Sequence, residues 1–161
     1  MWIRTASEKD LEAIRDLLVT TWHDTYEADY GYDAVRKVSD QWHSIDRLQE
    51  KLKAPQSEFL VMDDGSQLGA VAYAAMSSET NLQLHQLYVA KAYQRQGLGR
   101  QLLAEILTSF PKAKTASLEV DDKNMDAILF YEKFGFELTG KTDNCGEENS
   151  GIPALIMSRE L

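Results

Sequence analysis

Cysteine is almost missing from this chain: Cys145 is the only one, so no disulfide can form within it. That suits a reducing compartment, and with no signal-peptide pattern at the N-terminus a cytoplasmic location is expected. Long apolar runs are missing too. The longest, AVAYAAM at positions 70–76, is far too short to span a bilayer, so no membrane partner is expected. Cations are in deficit, 17 Lys and Arg against 26 Asp and Glu, and the net charge of −9 argues against general nucleic-acid binding. Only three prolines occur, with no linker, repeat or low-complexity tract, so one domain over 1–161 is expected. The three histidines and Cys145 show no metal-ligand spacing, and no metal is expected.

The apolar fraction of 43% is enough for a core, and its periodicity sets out the elements. Trp2 to Thr5 reads as a strand. Ser7, answered by Asp10, opens a helix with Leu11, Ile14 and Leu18 on one face. The aromatic and acidic segment TWHDTYEADYGYD reads as that helix's end. A second short helix carries Ile45, Leu48 and Leu52 and stops at Pro55. Phe59 to Met62 and Leu68 to Met76 form a hairpin around DDGSQ. Leu82 to Ala90 is the next strand, and the long helix after it runs to Phe110, before Pro111. Then come a strand at 116–120, a helix at 125–134 closed by Gly135, and two strands, 136–139 and 154–159, flanking the polar, mobile loop KTDNCGEENSGIP. The order β-α-α-β-β-β-α-β-α-β-β describes a mixed α/β (α+β) chain.

One stretch carries chemistry. LQLHQLYVAKAYQRQGLGR (82–100) is a strand, a loop with Gly97 and Gly99, and a helix with Leu98, Leu102, Ile106 and Phe110 at four-residue spacing. The first N–H groups of a helix have no internal partner and its dipole favours negative charge, so this stretch is suited to a phosphate or pyrophosphate. A dinucleotide loop would need a third glycine, and a nucleotide-triphosphate loop G-x-x-x-x-G-K-[ST]; neither is present.

QRQGLG (94–99) matches Gln/Arg-x-x-Gly-x-Gly/Ala, and NMDAILFYEKFGF (124–136) matches Asn-x-x-Ala-x-x-(Leu/Phe)-Tyr-x-x-x-Gly-Phe. In this order and spacing the two resemble the signatures of the GNAT superfamily of N-acetyltransferases, and the resemblance runs over nearly the whole chain. It implies a mostly antiparallel central sheet flanked by helices, with two splayed central strands holding acyl-CoA. It implies acetyl transfer from acetyl-CoA to an amine, with no metal. Leu87, Tyr88 and Val89 match the strand whose backbone pairs with pantetheine, and Gln94, Arg95, Gln96, Gly97, Leu98, Gly99 and Arg100 the pyrophosphate loop. Arg95 and Arg100 either meet phosphates by charge or are solvated. Asn124 matches the position that hydrogen-bonds pantetheine, and as an N-cap it can do both. Tyr131 occupies the tyrosine position whose hydroxyl acts as general acid on the leaving thiolate; otherwise it is a core tyrosine among Phe130, Phe134 and Phe136.

The general base is less defined. His85 shares a strand face with Gln83, at two positions where some arylalkylamine acetyltransferases carry histidines. Either it is the base or it is a packed strand histidine, with Glu119 a weaker candidate. Gln83, Tyr26 and Tyr30 are the expected acceptor contacts, Tyr26, Asp29, Tyr30 and Tyr32 forming a cage for a cationic amine. The acidic balance and the WHDTY segment favour a small polyamine-like amine as substrate. Acetylation of protein N-termini or lysines is the alternative, and a non-catalytic acyl-CoA-binding module the rival from another class. Proteins of this kind are often homodimers.

Overall fold

Three helices precede the hairpin, one more than the periodicity predicts. In the computed structural model, which describes residues 1–147 and 150–161, α1 runs over Leu11–Tyr30, α2 over Tyr32–Trp42 and α3 over Ile45–Lys53. The aromatic and acidic segment is, as expected, the end of the first helix. It is helical to Tyr30, where Gly31 at φ +86°, ψ 156° breaks the chain, and α2 restarts at once. The apolar pattern of α2 is too thin to read, because its buried positions are one valine and one serine, Val35 and Ser39. In α3, Leu48 is buried and Leu52 packs on the core, but Ile45, expected beside them, is exposed at the first position.

The strands are β1 Trp2–Thr5, β2 Ser57–Asp63, β3 Leu68–Met76, β4 Asn81–Val89, β5 Thr115–Asp121, β6 Glu137–Thr142 and β7 Ala154–Glu160. Helix α4 covers Leu98–Thr108, two residues short of Phe110, and α5 covers Met125–Lys133. Hydrogen bonding orders the seven-stranded sheet β1-β2-β3-β4-β5-β7-β6. The pairs β1/β2, β5/β7 and β6/β7 are antiparallel and β4/β5 is parallel, so the expected mixed, mostly antiparallel sheet with flanking helices is the architecture found. The described register of the parallel pair runs from Asn81↔Thr115 to Leu84↔Leu118, whereas β4 itself continues to Val89. Strand β6 ends the sheet and carries a register shift between Leu138 and Gly140.

The chain divides into two compact units. The first, residues 1–73 and 86–106, has a core of Leu11, Ile14, Leu17, Leu18, Leu48, Phe59, Val61, Val71 and Tyr73, with Tyr88 and Ala90 of the β4 end packed on it. Arg4 fastens this unit: it grips both oxygens of Asp10 at 2.8 and 2.9 Å and Asp63 at 2.9 Å. The Asp10 carboxylate also accepts the Ser7 N–H at 2.8 Å, the predicted capping pair, and with Arg4 as the larger cause it is held down at about 2.

The second unit, residues 74–85 and 107–161, buries Leu82, Leu118, Val120, Ile128, Phe136 and Met157. Arg159 Nη1 donates to the Phe134 carbonyl at 2.7 Å and its guanidinium lies 5.5 Å from the Phe134 ring centroid, anchoring the end of α5. The loop between β6 and β7 was expected to be mobile. Where described it is pinned: Cys145 N–H reaches Ile152 O at 2.7 Å, and Gly146 N–H reaches Glu119 Oε2 at 2.7 Å. Glu148 and Asn149 of the same loop lie outside the described residues.

Candidate functional site

In the first unit, β4 runs into a short 3-10 turn, Lys91–Tyr93, then into Gln94–Gly97 and the start of α4. Leu87, Tyr88 and Val89 are partly buried, and Ala90 N–H donates to Gly69 O of β3 at 2.8 Å. Gln94 folds back, its Nε2 donating to the Val89 carbonyl at 3.0 Å. Arg95 stands at φ +65° and Gly97 at φ +79°. Positive-φ residues in a short turn are the kind of backbone from which anion-binding concavities of N–H groups are built. For arginine this conformation costs about 1 kcal/mol, so the surroundings must impose it. Gln94, Arg95, Gln96, Gly97 and Arg100 are exposed, and Gln101 N–H already bonds to Gly97 O, which leaves the N–H groups of Leu98, Gly99 and Arg100 facing outward from the helix start. An anion can be received here.

The same unit gathers aromatic side chains around Trp22. Its ring centroid lies 4.7 Å from Tyr26, 5.5 Å from Trp42 and 5.3 Å from His43, and Tyr26 is 6.3 Å from Tyr30. Trp22 Nε1 donates to the Tyr88 hydroxyl at 3.0 Å, tying this row to β4. Tyr26 and Tyr30 are thus brought together at one-turn spacing on α1. Tyr32 is not with them: it is exposed and stacks on His23 at 4.8 Å, and Asp29 is exposed. Trp42 and His43 were not foreseen, because they lie where apolar periodicity is weakest.

His43 is almost fully buried, with Ser39 Oγ 2.8 Å from its Nδ1, and burial pushes its imidazole from 6.5 down to about 3. The unfolded chain takes up a proton near pH 6.5 that the folded chain refuses, so this contribution to stability is whole above that pH and shrinks as pH falls toward 3. Urea denaturation at pH 7.5 and 5.5 should differ by about 1.4 kcal/mol, the lower pH being less stable. The difference should vanish in His43→Gln, and an equal difference in that variant would refute the assignment.

Gln86 is 6% exposed, and its Oε1 is buried with no hydrogen-bond partner among the described residues. Strand alternation puts it in register with buried Leu82 and Leu84, so the sequence held a signal: a carboxamide at an apolar position. An orphaned buried oxygen costs about 1–3 kcal/mol. Gln86→Leu is therefore expected to raise the unfolding free energy by roughly 1 kcal/mol, read from urea melts.

In the second unit, Gln83 is half-buried and His85 exposed, on the β4 face opposite Leu82 and Leu84. Asn124 caps α5, its Oδ1 accepting the Ala127 N–H at 3.3 Å. Tyr131, about two turns further along, is buried and edge-on to Phe130 at 5.2 Å and to Phe136 at 5.7 Å. Glu119 is engaged by the Gly146 N–H. Burial, with Glu119 beside it, pushes the Cys145 thiol up to about 12, which leaves it protonated and inert at neutral pH. Among the described residues no cluster of His, Cys, Asp or Glu is arranged to hold a metal, and no helix is long and apolar enough to cross a membrane.

A family model described as an acetyltransferase (GNAT) domain matches residues 26–161. The chain is 30% identical to the peptidyl-lysine N-acetyltransferase YiaC of Escherichia coli, over 97% of this chain and 94% of that protein. It is 34% identical to a probable spermine N(1)-acetyltransferase of Bacillus subtilis subsp. natto, over 48% of this chain; the match spans about half the length of that relative, 49%. Its fold is similar to that of the PaiA N-acetyltransferase of Thermoplasma acidophilum, solved with coenzyme A, with a TM-score of 0.86, 22% identity and 99% and 98% of the two chains covered.

Proposed function

Since the chain belongs to the GNAT acetyltransferase family, we propose that it transfers the acetyl group of acetyl-CoA to a primary amine of a small, polyamine-like molecule by direct attack. The observation that carries the cofactor reading is the β4–loop–α4 turn, where Arg95 and Gly97 hold positive φ ahead of an exposed helix start. Gln94 to Arg100 receive the pyrophosphate on backbone N–H groups. Leu87, Tyr88 and Val89 offer their backbone to the pantetheine arm as an added strand would. Asn124 uses its carbonyl oxygen as the helix cap and its NH2 as a donor to the same arm.

A free alkylamine has a pKa near ~10.4, so it must lose a proton before it can attack. His85 accepts that proton, directly or through water. The new C–N bond forms as the carbonyl becomes a tetrahedral oxyanion. The C–S bond then breaks, the departing thiolate takes its proton from the Tyr131 hydroxyl, and the surplus proton on the new amide nitrogen passes, directly or through water, to the tyrosinate, restoring it. Replacing His85 by Ala should lower kcat about 100-fold at neutral pH and remove the acid limb of the pH–rate profile, with affinity for acetyl-CoA unchanged. A wild-type profile from that variant would rule out the base assignment.

Tyr26 and Tyr30, beside Trp22, support a cationic acceptor through their ring faces, Gln83 supplies a polar contact, and the net charge of −9 draws polycations. A second reading, acetylation of protein lysines, is favoured by the full-length match to YiaC. Release of coenzyme A from acetyl-CoA, measured with spermidine, spermine, lysine peptides and N-terminal peptides, separates the two. Turnover confined to the peptides would replace the polyamine reading. Tight acetyl-CoA binding with no turnover on any of these would favour a binding module instead.

A further inference from the structure

Residues outside both signatures hold the β4–α4 loop from the neighbouring hairpin. In the turn between β2 and β3, Asp64 Oδ1 accepts the N–H groups of Ser66 and Gln67, both at 2.8 Å, and the Ser66 hydroxyl at 3.0 Å. Its other oxygen accepts the hydroxyl of Tyr93, the residue immediately before Gln94. Gln67 Nε2 donates to that same hydroxyl at 2.6 Å. The carboxylate is thus locked by its own turn and reaches the Tyr93 tip already oriented.

The foot of the ring is held as well. A Cβ at Gly69 of β3 would come within 2.6 Å of the Met1 side chain and 3.1 Å of Tyr93 Cγ, so the glycine leaves room for both against the strand. The Tyr93 N–H closes onto Ala90 O at 2.8 Å, and Ala90 N–H bonds back to Gly69 O. Tyr93 is therefore fixed at its backbone, ring and hydroxyl, one step ahead of a segment that holds Arg95 at φ +65°.

We propose that Tyr93, fastened by Asp64 and Gln67, is a positioning residue for coenzyme A, setting the conformation of Gln94–Gly99 before the cofactor arrives. The proposal rests on the reading of Gln94–Arg100 as the pyrophosphate loop. A loop already ordered loses less conformational entropy on binding, so a loosened one binds more weakly without any change in the groups that touch the ligand. A tyrosine–carboxylate hydrogen bond is charge-assisted, and losing it at an exposed site should weaken binding about 3- to 10-fold.

The test is a double-mutant cycle on the full chain, with Tyr93→Phe, Asp64→Asn and both together, measuring Kd for coenzyme A by calorimetry and kcat with saturating acetyl-CoA. Tyr93→Phe should raise Kd and the acetyl-CoA KM together by about 3- to 10-fold, leave kcat unchanged and melt with the wild type; the double variant should be no worse than the single ones. A Kd within twofold of wild type overturns the proposal, and so do additive losses in the double variant. Gly97→Asp, run alongside, separates the premises. If it weakens binding while Tyr93→Phe does not, only the positioning role falls. If neither changes Kd, the pyrophosphate-loop reading falls with it.

Discussion

Gly97→Asp should leave a well-folded protein whose affinity for coenzyme A has dropped at least ~100-fold. Gly97 stands at φ +79°, immediately before the first residue of α4, and a Cβ there meets nothing within 4 Å. The new side chain has room, and an aspartate at a helix N-cap is favourable for the helix itself. Its backbone conformation costs an L-residue about 1–2 kcal/mol. Against the ligand the signs reverse. A carboxylate at the mouth of the proposed N–H cradle would face the pyrophosphate, and two unit charges 4 Å apart repel by about 4 kcal/mol at an effective dielectric of 20. That repulsion alone corresponds to well over 100-fold. Calorimetry with coenzyme A and a thermal melt, taken together, check both halves. Gly97→Ala adds the strained conformation without the charge, and should cost about 10-fold. Equal losses in the two variants would mean that conformation, not charge, decides binding here.

Tyr131→Phe is expected to lower kcat by about 100-fold while the KM for acetyl-CoA and the melting temperature hold. The substitution is close to silent for packing. Tyr131 is buried against Phe130 and Phe136, and phenylalanine keeps both ring contacts and loses only the hydroxyl. A residue that serves the core alone would leave kcat untouched. One that protonates the leaving thiolate removes the step's proton donor when it goes, and general acids contribute about 10²–10⁴-fold. Single-turnover measurement of coenzyme A release isolates the chemical step from product departure. An unchanged single-turnover rate would strip Tyr131 of the acid role and return it to the core.

The sequence was most legible where structure is local. Ser7 with Asp10, Asn124 before α5 and the hairpin turn at 64–67 are all decided by neighbours within four residues, and each lies where its residues indicate. The β4–loop–α4 stretch was legible for the same reason. Helix α2 was not, because it is held by Val35 and Ser39, and Ser39 gains its place from His43 rather than from apolarity. The aromatic row was half legible: Trp22, Tyr26 and Tyr30 follow the helical period, but Trp42 and Tyr88 join them only through tertiary contact. The bond from Tyr93 to Asp64 spans 29 positions and has no local signature.

The last strand of the sheet presents a row of backbone groups to whatever chain comes next, and Leu138 on that strand is 58% exposed. An uninterrupted row of this kind templates further strands without limit. The shift between Leu138 and Gly140 breaks the even spacing that an incoming strand would have to match. The irregularity makes this border a poorer template for an added strand than an evenly spaced edge would be.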